Sequence, residues 1–284
     1  MCFLCPPPSV APSSPWSARR GFLLAAGSAA VAPALAQVEV GSASPLRKLV
    51  PAETLERSAA QQYQQMLEQA RAKRALAPPE HPQLQRLHAI AKRLIPFTAP
   101  WNERAGQWRW EVNLIGSQQI NAFCMPGGKI AFYTGILDKL QLTDDEVAMI
   151  MGHEMAHALR EHARERMGKN AATGLGASLL SQVFGLGDIG QTVTQYGAQL
   201  LTLKFGREDE SEADLVGMEL AARAGFNPRA GISLWQKMGA ANKGAPPEWL
   251  STHPSGNARI AQMEANLPQV MPLYERAKSG KKGG

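Results

Sequence analysis

Residues 143–157 read Thr-Asp-Asp-Glu-Val-Ala-Met-Ile-Met-Gly-His-Glu-Met-Ala-His. Thr143 followed three positions later by Glu146 is a capping box, and the acidic turn Asp144–Glu146 suits a helix N-terminus. The helix so started is predicted to run to about Met167. Inside it, His153 and His157 are four apart, which on a helix leaves them about 40° apart on one face. Both imidazoles therefore reach one ion. Glu154 lies one position on, near that ion but not on it. Two histidine ligands beside a carboxylate able to take a proton from water are what a zinc hydrolase requires. The competing reading is a helix that carries two histidines by chance.

A catalytic zinc site uses three protein ligands and one open position, so a third ligand is expected elsewhere. No cysteine suits. His81 and His88 lie in a plain amphipathic helix and read as surface or cap residues. On a continuous helix His162 points about 140° away from His157 and is not expected to share its metal. The predicted helix 207–224 offers two carboxylate pairs at i,i+4 spacing, Glu210/Asp214 and Glu208/Glu212. Leu215, Met218, Ala221 and Ala222 mark its buried side, and Asp214 adjoins it. A ligand with a buried carboxylate behind it suits Glu210 and Asp214, while Glu208 and Glu212 read as a solvated face.

Outward from this centre, amphipathic helices are predicted at 51–76 and 81–95, the latter stopped by Pro96. Alternation through Trp108, Trp110, Val112 and Leu114 predicts a half-buried strand. Short strands follow at 120–124 and 129–134, joined by a Met125-Pro126-Gly127-Gly128 turn. Further helices fit 228–242 and 256–266. A few strands and many helices make the class α+β, mostly helical, with a small sheet. The Gly-rich apolar stretch 170–204 has two readings, a packed helical hairpin or a surface offered to a membrane or partner.

The 284 residues are 44% hydrophobic and 19% charged, which excludes wholesale disorder and coiled coil. With 30 Lys+Arg against 24 Asp+Glu, the formal charge of +6 is mild and spread out. No basic stripe serves a nucleic-acid partner. Residues 1–36 read as an export signal peptide: Arg19-Arg20, an apolar run, then Ala34-Leu35-Ala36 as a cleavage signal. The paired arginines resemble a twin-arginine signal, with general secretion as the alternative. A zinc-site domain is then expected over 37–275 and a disordered basic tail over 276–284. Periplasmic localisation follows, with peripheral membrane association through 170–204 as an option. Cys2 and Cys5 fall in the export segment, which leaves Cys124 as a small core residue and no disulfide.

Four stretches, in this order, resemble the zinc metallopeptidase family of HtpX, the CAAX prenyl endopeptidases and the periplasmic proteases BepA and LoiP. They are Asn121-Ala-Phe-Cys-Met-Pro-Gly-Gly128 with its following strand, Thr143 to His157, Arg207-Glu-Asp-Glu210-Ser-Glu-Ala-Asp214, and Thr252-His253-Pro254 with Arg259-Ile260. The match covers most of residues 51–266. The resemblance implies a gluzincin-type domain with one Zn2+ per chain, held by His153, His157 and Glu210. Asp214 would orient a zinc histidine from behind, and Glu154 would be the general base. It implies an edge strand facing the active site, where Asn121, Ala122 and Phe123 pair with a substrate backbone. A tight turn is the other reading of that stretch. His253 would lie near the zinc, either polarising the scissile carbonyl or filling the open position as a latency switch. Arg259 would anchor its loop through a buried carboxylate. The implied function is endoproteolysis of misfolded or unassembled envelope proteins. The alternative is a chaperone-like binding module with a structural zinc. Oligomeric state is not legible.

Overall fold

In a computed structural model, the described residues are 38–172, 200, 203–241, 247–253 and 257–280. The expected export signal and nearly all of the apolar stretch 170–204 lie outside them.

Three strands make one sheet. β1 (Glu111–Ile115) pairs in parallel with β3 (Lys129–Tyr133), and β2 (Ala122–Met125) pairs antiparallel with the other side of β3. The order β1-β3-β2 leaves β2 at an edge. Gly127 and Gly128 both take positive φ, 81° and 75°, in the β2–β3 turn. A Cβ on Gly128 would sit 2.7 Å from the Trp110 ring, so the turn needs glycine for space as well as for backbone. β1 is shorter than its alternating pattern. Trp108 and Trp110 precede it, with Trp108 Nε1 on Glu56 Oε1 (3.0 Å) and Trp110 Nε1 on Ala105 O (3.1 Å). Indole N–H groups that find partners outside the ladder pull this segment off the sheet.

The helices are α1 (Ala52–Ala72), α2 (Pro82–Leu94), α3 (Thr134–Leu140), α4 (Asp144–Leu159), α5 (His162–Ala172), α6 (Arg207–Arg223), α7 (Ala230–Ala241), α8 (Glu248–Thr252) and α9 (Asn257–Gly280). α3 has no counterpart in the sequence reading. α9 runs through Pro268 and Pro272, so it passes both the 266 end and the 275 domain limit expected from sequence. Proline normally stops a helix by removing an N–H and crowding the preceding turn. Here the helix continues, and residues 276–280 of the expected disordered tail are helical.

The predicted helix 143–167 is two helices. α4 ends at Leu159, Arg160 caps it, and Glu161 adopts φ 59° before α5 begins at His162. A non-glycine residue in the left-handed region is uncommon and strained, and it redirects the chain sharply.

α4 is the central element. Every residue from Glu146 to Leu159 is buried, as expected of a helix packed on all sides. Its capping box forms: Thr143 Oγ1 accepts from Glu146 N (3.3 Å), and Glu146 Oε2 accepts from Thr143 N (2.8 Å). Lys237 Nζ and Ser233 Oγ also donate to Glu146, at 2.7 and 2.8 Å, which ties α7 to the start of α4. Such a cap contributes about 1 kcal/mol. α4 packs most extensively on α6, and they cross at two glycines. A Cβ on Gly152 would lie 2.9 Å from Gly217 O, and one on Gly217 would lie 2.7 Å from His153 N. That close approach sets the acidic first turns of α6 beside the two α4 histidines.

Candidate metal centre

His153, Glu154 and His157 come from α4, Glu210 and Asp214 from α6, and His253 from the residue capping α8. None is more than 3% exposed. One donor atom from each of His153, His157, Glu210 and His253 can be chosen so that all four lie within 4.8 Å of one another. His153 Nε2 is 3.1 Å from His157 Nε2 and 3.2 Å from His253 Nδ1. Glu210 reaches His253 Nδ1 at 3.0 Å, His157 Nε2 at 3.4 Å and His153 Nε2 at 3.5 Å.

The outer atoms of these side chains are held from behind. Asp214 Oδ1 accepts from His153 Nδ1 at 3.0 Å, which leaves the Nε2 lone pair turned inward. Arg259 donates to both Asp214 oxygens, at 2.6 and 2.7 Å. The same guanidinium lies 3.9 Å over the Trp235 ring. Arg259 lies in the first turn of α9 and anchors that helix start, where a loop was expected, through a buried carboxylate. Arg259 Nη1 also approaches Glu210 Oε2 to 2.7 Å, yet that oxygen has no aligned hydrogen bond. Three inward imidazole nitrogens and a carboxylate fit a borderline divalent ion such as zinc.

Electrostatics agree with His157 and Glu210 as donors. Burial holds His157 well below the ordinary histidine range, overriding the Glu210 carboxylate, so His157 is neutral. Burial would push Glu210 upward. His253 and His157 outweigh it and hold Glu210 far below the carboxylate range, so Glu210 is anionic. At His253 the balance is reversed: burial lowers it, and the Glu154 and Glu210 carboxylates win and raise it.

Glu154 sits beside the cluster. Its Oε1 accepts from Trp249 Nε1 at 2.6 Å and lies 3.5 Å from His253 Nε2. Trp249 also stacks on His253, with ring centroids 5.0 Å apart at 28°. Phe205 covers the far side, stacked 4.0 Å from the His157 ring, and its N–H reaches Thr252 O at 3.4 Å. Trp249 and Phe205 escaped the sequence reading, because only tertiary packing brings them to the histidines.

A groove runs past the site. Asn121 and the β2 residues Ala122, Phe123, Cys124 and Met125 line it, together with Glu154, His157 and His253. Tyr133 N donates to Asn121 O (3.1 Å). With the register Phe123↔Ala131, backbone groups of Ala122 and Cys124 therefore point away from β3. Asn121 Oδ1 takes the Ala122 N–H at 2.9 Å, and Trp249 N donates to Ile120 O at 3.1 Å. Cys124 lines this groove half-buried and packs against the main hydrophobic core.

Two expectations fail around His157. His162 does not point away, because the break at Glu161 turns α5 back. Its Nδ1 lies 2.9 Å from His157 Nδ1. Glu212 is not solvated either: it is half-buried and meets His162 Nε2 at 3.3 Å and Arg160 Nε at 2.8 Å. Glu208 is exposed, as expected.

Residues 82–267 match the description of Peptidase family M48. Among curated relatives, the mitochondrial metalloendopeptidase OMA1 of Arabidopsis thaliana is 36% identical over 176 residues, which is 61% of this chain and 35% of that protein. The human mitochondrial metalloendopeptidase OMA1 is 32% identical over 185 residues, covering 60% and 34%. The beta-barrel assembly-enhancing protease of Escherichia coli O157:H7 is 29% identical over 170 residues, covering 56% and 35%. The chain thus spans about a third of the length of these relatives. The matched residues contain α4, α6 and His253, so the chain belongs to Peptidase family M48.

Proposed function

We propose that this chain is a zinc-dependent endopeptidase that cleaves unfolded or misassembled envelope proteins in a bacterial periplasm. The single observation that carries the chemistry is the convergence of four buried donors beside Glu154, on a groove edged by β2. His153, His157 and Glu210 would hold one zinc, with His253 adjoining. A zinc ion there supplies Lewis acidity, polarising the scissile carbonyl and making water easier to deprotonate.

The chain's own residues do the rest. Glu154 takes the proton of the attacking water and passes it to the leaving amine. Trp249 Nε1–H fixes the Glu154 carboxylate, and Asp214 fixes the tautomer and plane of His153. A substrate backbone pairs with the outward Ala122 carbonyl and the outward groups of Cys124, with Asn121 and Phe123 shaping the groove. Main-chain pairing reads extended shape more than sequence, which suits unfolded substrates. The nearness of His253 Nδ1 to Glu210 and His153 favours its role as a fourth donor that yields to substrate.

The envelope setting rests on the export-signal reading of residues 1–36 with the mature domain over 37–275, and on a relative named for beta-barrel assembly. Other relatives are named as mitochondrial. No helix among the described residues is long and apolar enough to cross a membrane. The binding-module alternative gives no role to a buried carboxylate held at the metal donors.

Zinc content and casein cleavage of the full chain and of Glu154→Gln test the proposal. The expected result is equal zinc in both, with cleavage about 10²–10⁴-fold slower in the variant. Zinc without cleavage in the wild type, and cleavage gained in His253→Ala, would establish latency. Equal cleavage by wild type and Glu154→Gln would overturn the role of Glu154.

A further inference from the structure

The two α4 histidines are supported differently. His153 donates straight to a carboxylate, Asp214. His157 has no carboxylate at its Nδ1; it has His162, 2% exposed, with the two rings edge to face at 5.0 Å. Two imidazole nitrogens 2.9 Å apart share one proton, so one donates and the other accepts. The next contact decides which. Glu212 Oε2 is a carboxylate oxygen already paired to Arg160 Nε, and it can only accept. A neutral His162 therefore carries its proton on Nε2, toward Glu212, and presents a bare Nδ1 to His157. His157 must then carry its proton on Nδ1. Its Nε2 is left as a lone pair directed at His153 Nε2 and Glu210 Oε1, 3.1 and 3.4 Å away.

We infer that His162 is a positioning residue for His157: with Glu212 and Arg160 behind it, it fixes the His157 tautomer whose Nε2 faces the metal donors. This rests on the reading of His157 as a metal ligand. The relay depends on the left-handed turn at Glu161, since a continuous helix would carry His162 away from His157. Its outer end is anchored on a distant part of the chain. Arg160 Nη2 donates to Gly41 O, and a Cβ on Gly41 would lie 3.1 Å from Glu212 Oε1. Support behind a metal histidine fixes its ring and tautomer, and losing it typically weakens metal binding about 10–100-fold.

The test separates the relay from the metal reading. Long-range 1H–15N spectra of the full chain, labelled at histidine and freed of metal, report the His157 tautomer without any ion. Competition with a chromophoric chelator gives the Zn2+ affinity of the same samples. The wild type should show the proton of His157 on Nδ1. His162→Phe should lose that preference and bind zinc about 10–100-fold more weakly. His162→Asn, whose Oδ1 can accept the same N–H, should retain the tautomer and recover most of the affinity. Should His162→Phe misfold, the His162→Asn and wild-type spectra still decide the tautomer. An unchanged Nδ1–H tautomer in folded His162→Phe, or a wild-type proton on Nε2, would overturn the relay. Correct tautomers with no zinc binding in any form would instead refute the metal reading and leave the relay standing.

Discussion

His153 and His157 stand on the same helix face, four residues apart, yet the surroundings of the two rings differ. Behind His153 is a short, deep stack: Asp214, then Arg259, then the Trp235 ring, with Asp214 and Arg259 at most 6% exposed. Behind His157 is a longer and wetter line: His162, then Glu212 and Arg160, whose side chains are 22% and 13% exposed. The deep stack places charges where removing one partner strands the other. The outer line places them where water can substitute. One half of the centre is thus tied to folding of the core, and the other is open to adjustment from the surface.

The largest effect should come from breaking the deep stack. Asp214→Ala takes one carboxylate partner from the buried Arg259 guanidinium, and loss of one partner of a buried ion pair costs about 3–5 kcal/mol. Urea unfolding of the variant should show that loss, and the purified protein should carry no zinc. Next comes the crossing that holds both halves together. Gly217→Ala puts a methyl against His153 N, and overpacking of this kind costs about 1–3 kcal/mol. Zinc affinity should fall with it, because α6 must move its Glu210 away from α4.

Breaking the outer line should be milder. Arg160→Gln removes a partly exposed pair worth about 0–1 kcal/mol, so unfolding midpoints should barely move. Zinc affinity should drop by less than in His162→Phe, since His162 can still donate to Glu212. The smallest effect sharpens the contrast through salt. Raising ionic strength toward 1 M shortens the screening length to about 3 Å and should weaken the Arg160–Glu212 support. Zinc affinity of the wild type should then shift slightly toward that of Arg160→Gln, and Arg160→Gln should itself respond less. Equal salt responses in the two proteins would mean that the outer line does not bear on the metal.

The same contrast explains what the sequence discloses. The deep half is legible because its parts follow simple periods. The capping box sets the start of α4, the i,i+4 rule puts His153 and His157 together, and the apolar side of α6 selects Glu210 and Asp214. The outer half is hidden by one residue. Nothing in Arg160-Glu161-His162 signals a break, since a left-handed turn is usually announced by glycine or asparagine. Read as continuous helix, the stretch sends His162 outward and leaves Glu212 to solvent. Elsewhere the misses have similar causes. Trp108 and Trp110 alternate as a strand does, but their indoles bond Glu56 and Ala105 instead of facing a sheet. The helix expected over 256–266 runs on as α9 through Pro268 and Pro272.

Zinc stoichiometry of the full chain, read by elemental analysis beside His157→Ala and Glu210→Gln, tests the central claim most directly. Four converging buried donors predict about one zinc per wild-type chain, and much less in both variants after the same dialysis. A wild type that retains no zinc after incubation with it, or variants that retain as much as the wild type, would contradict the assignment of this cluster as the metal centre.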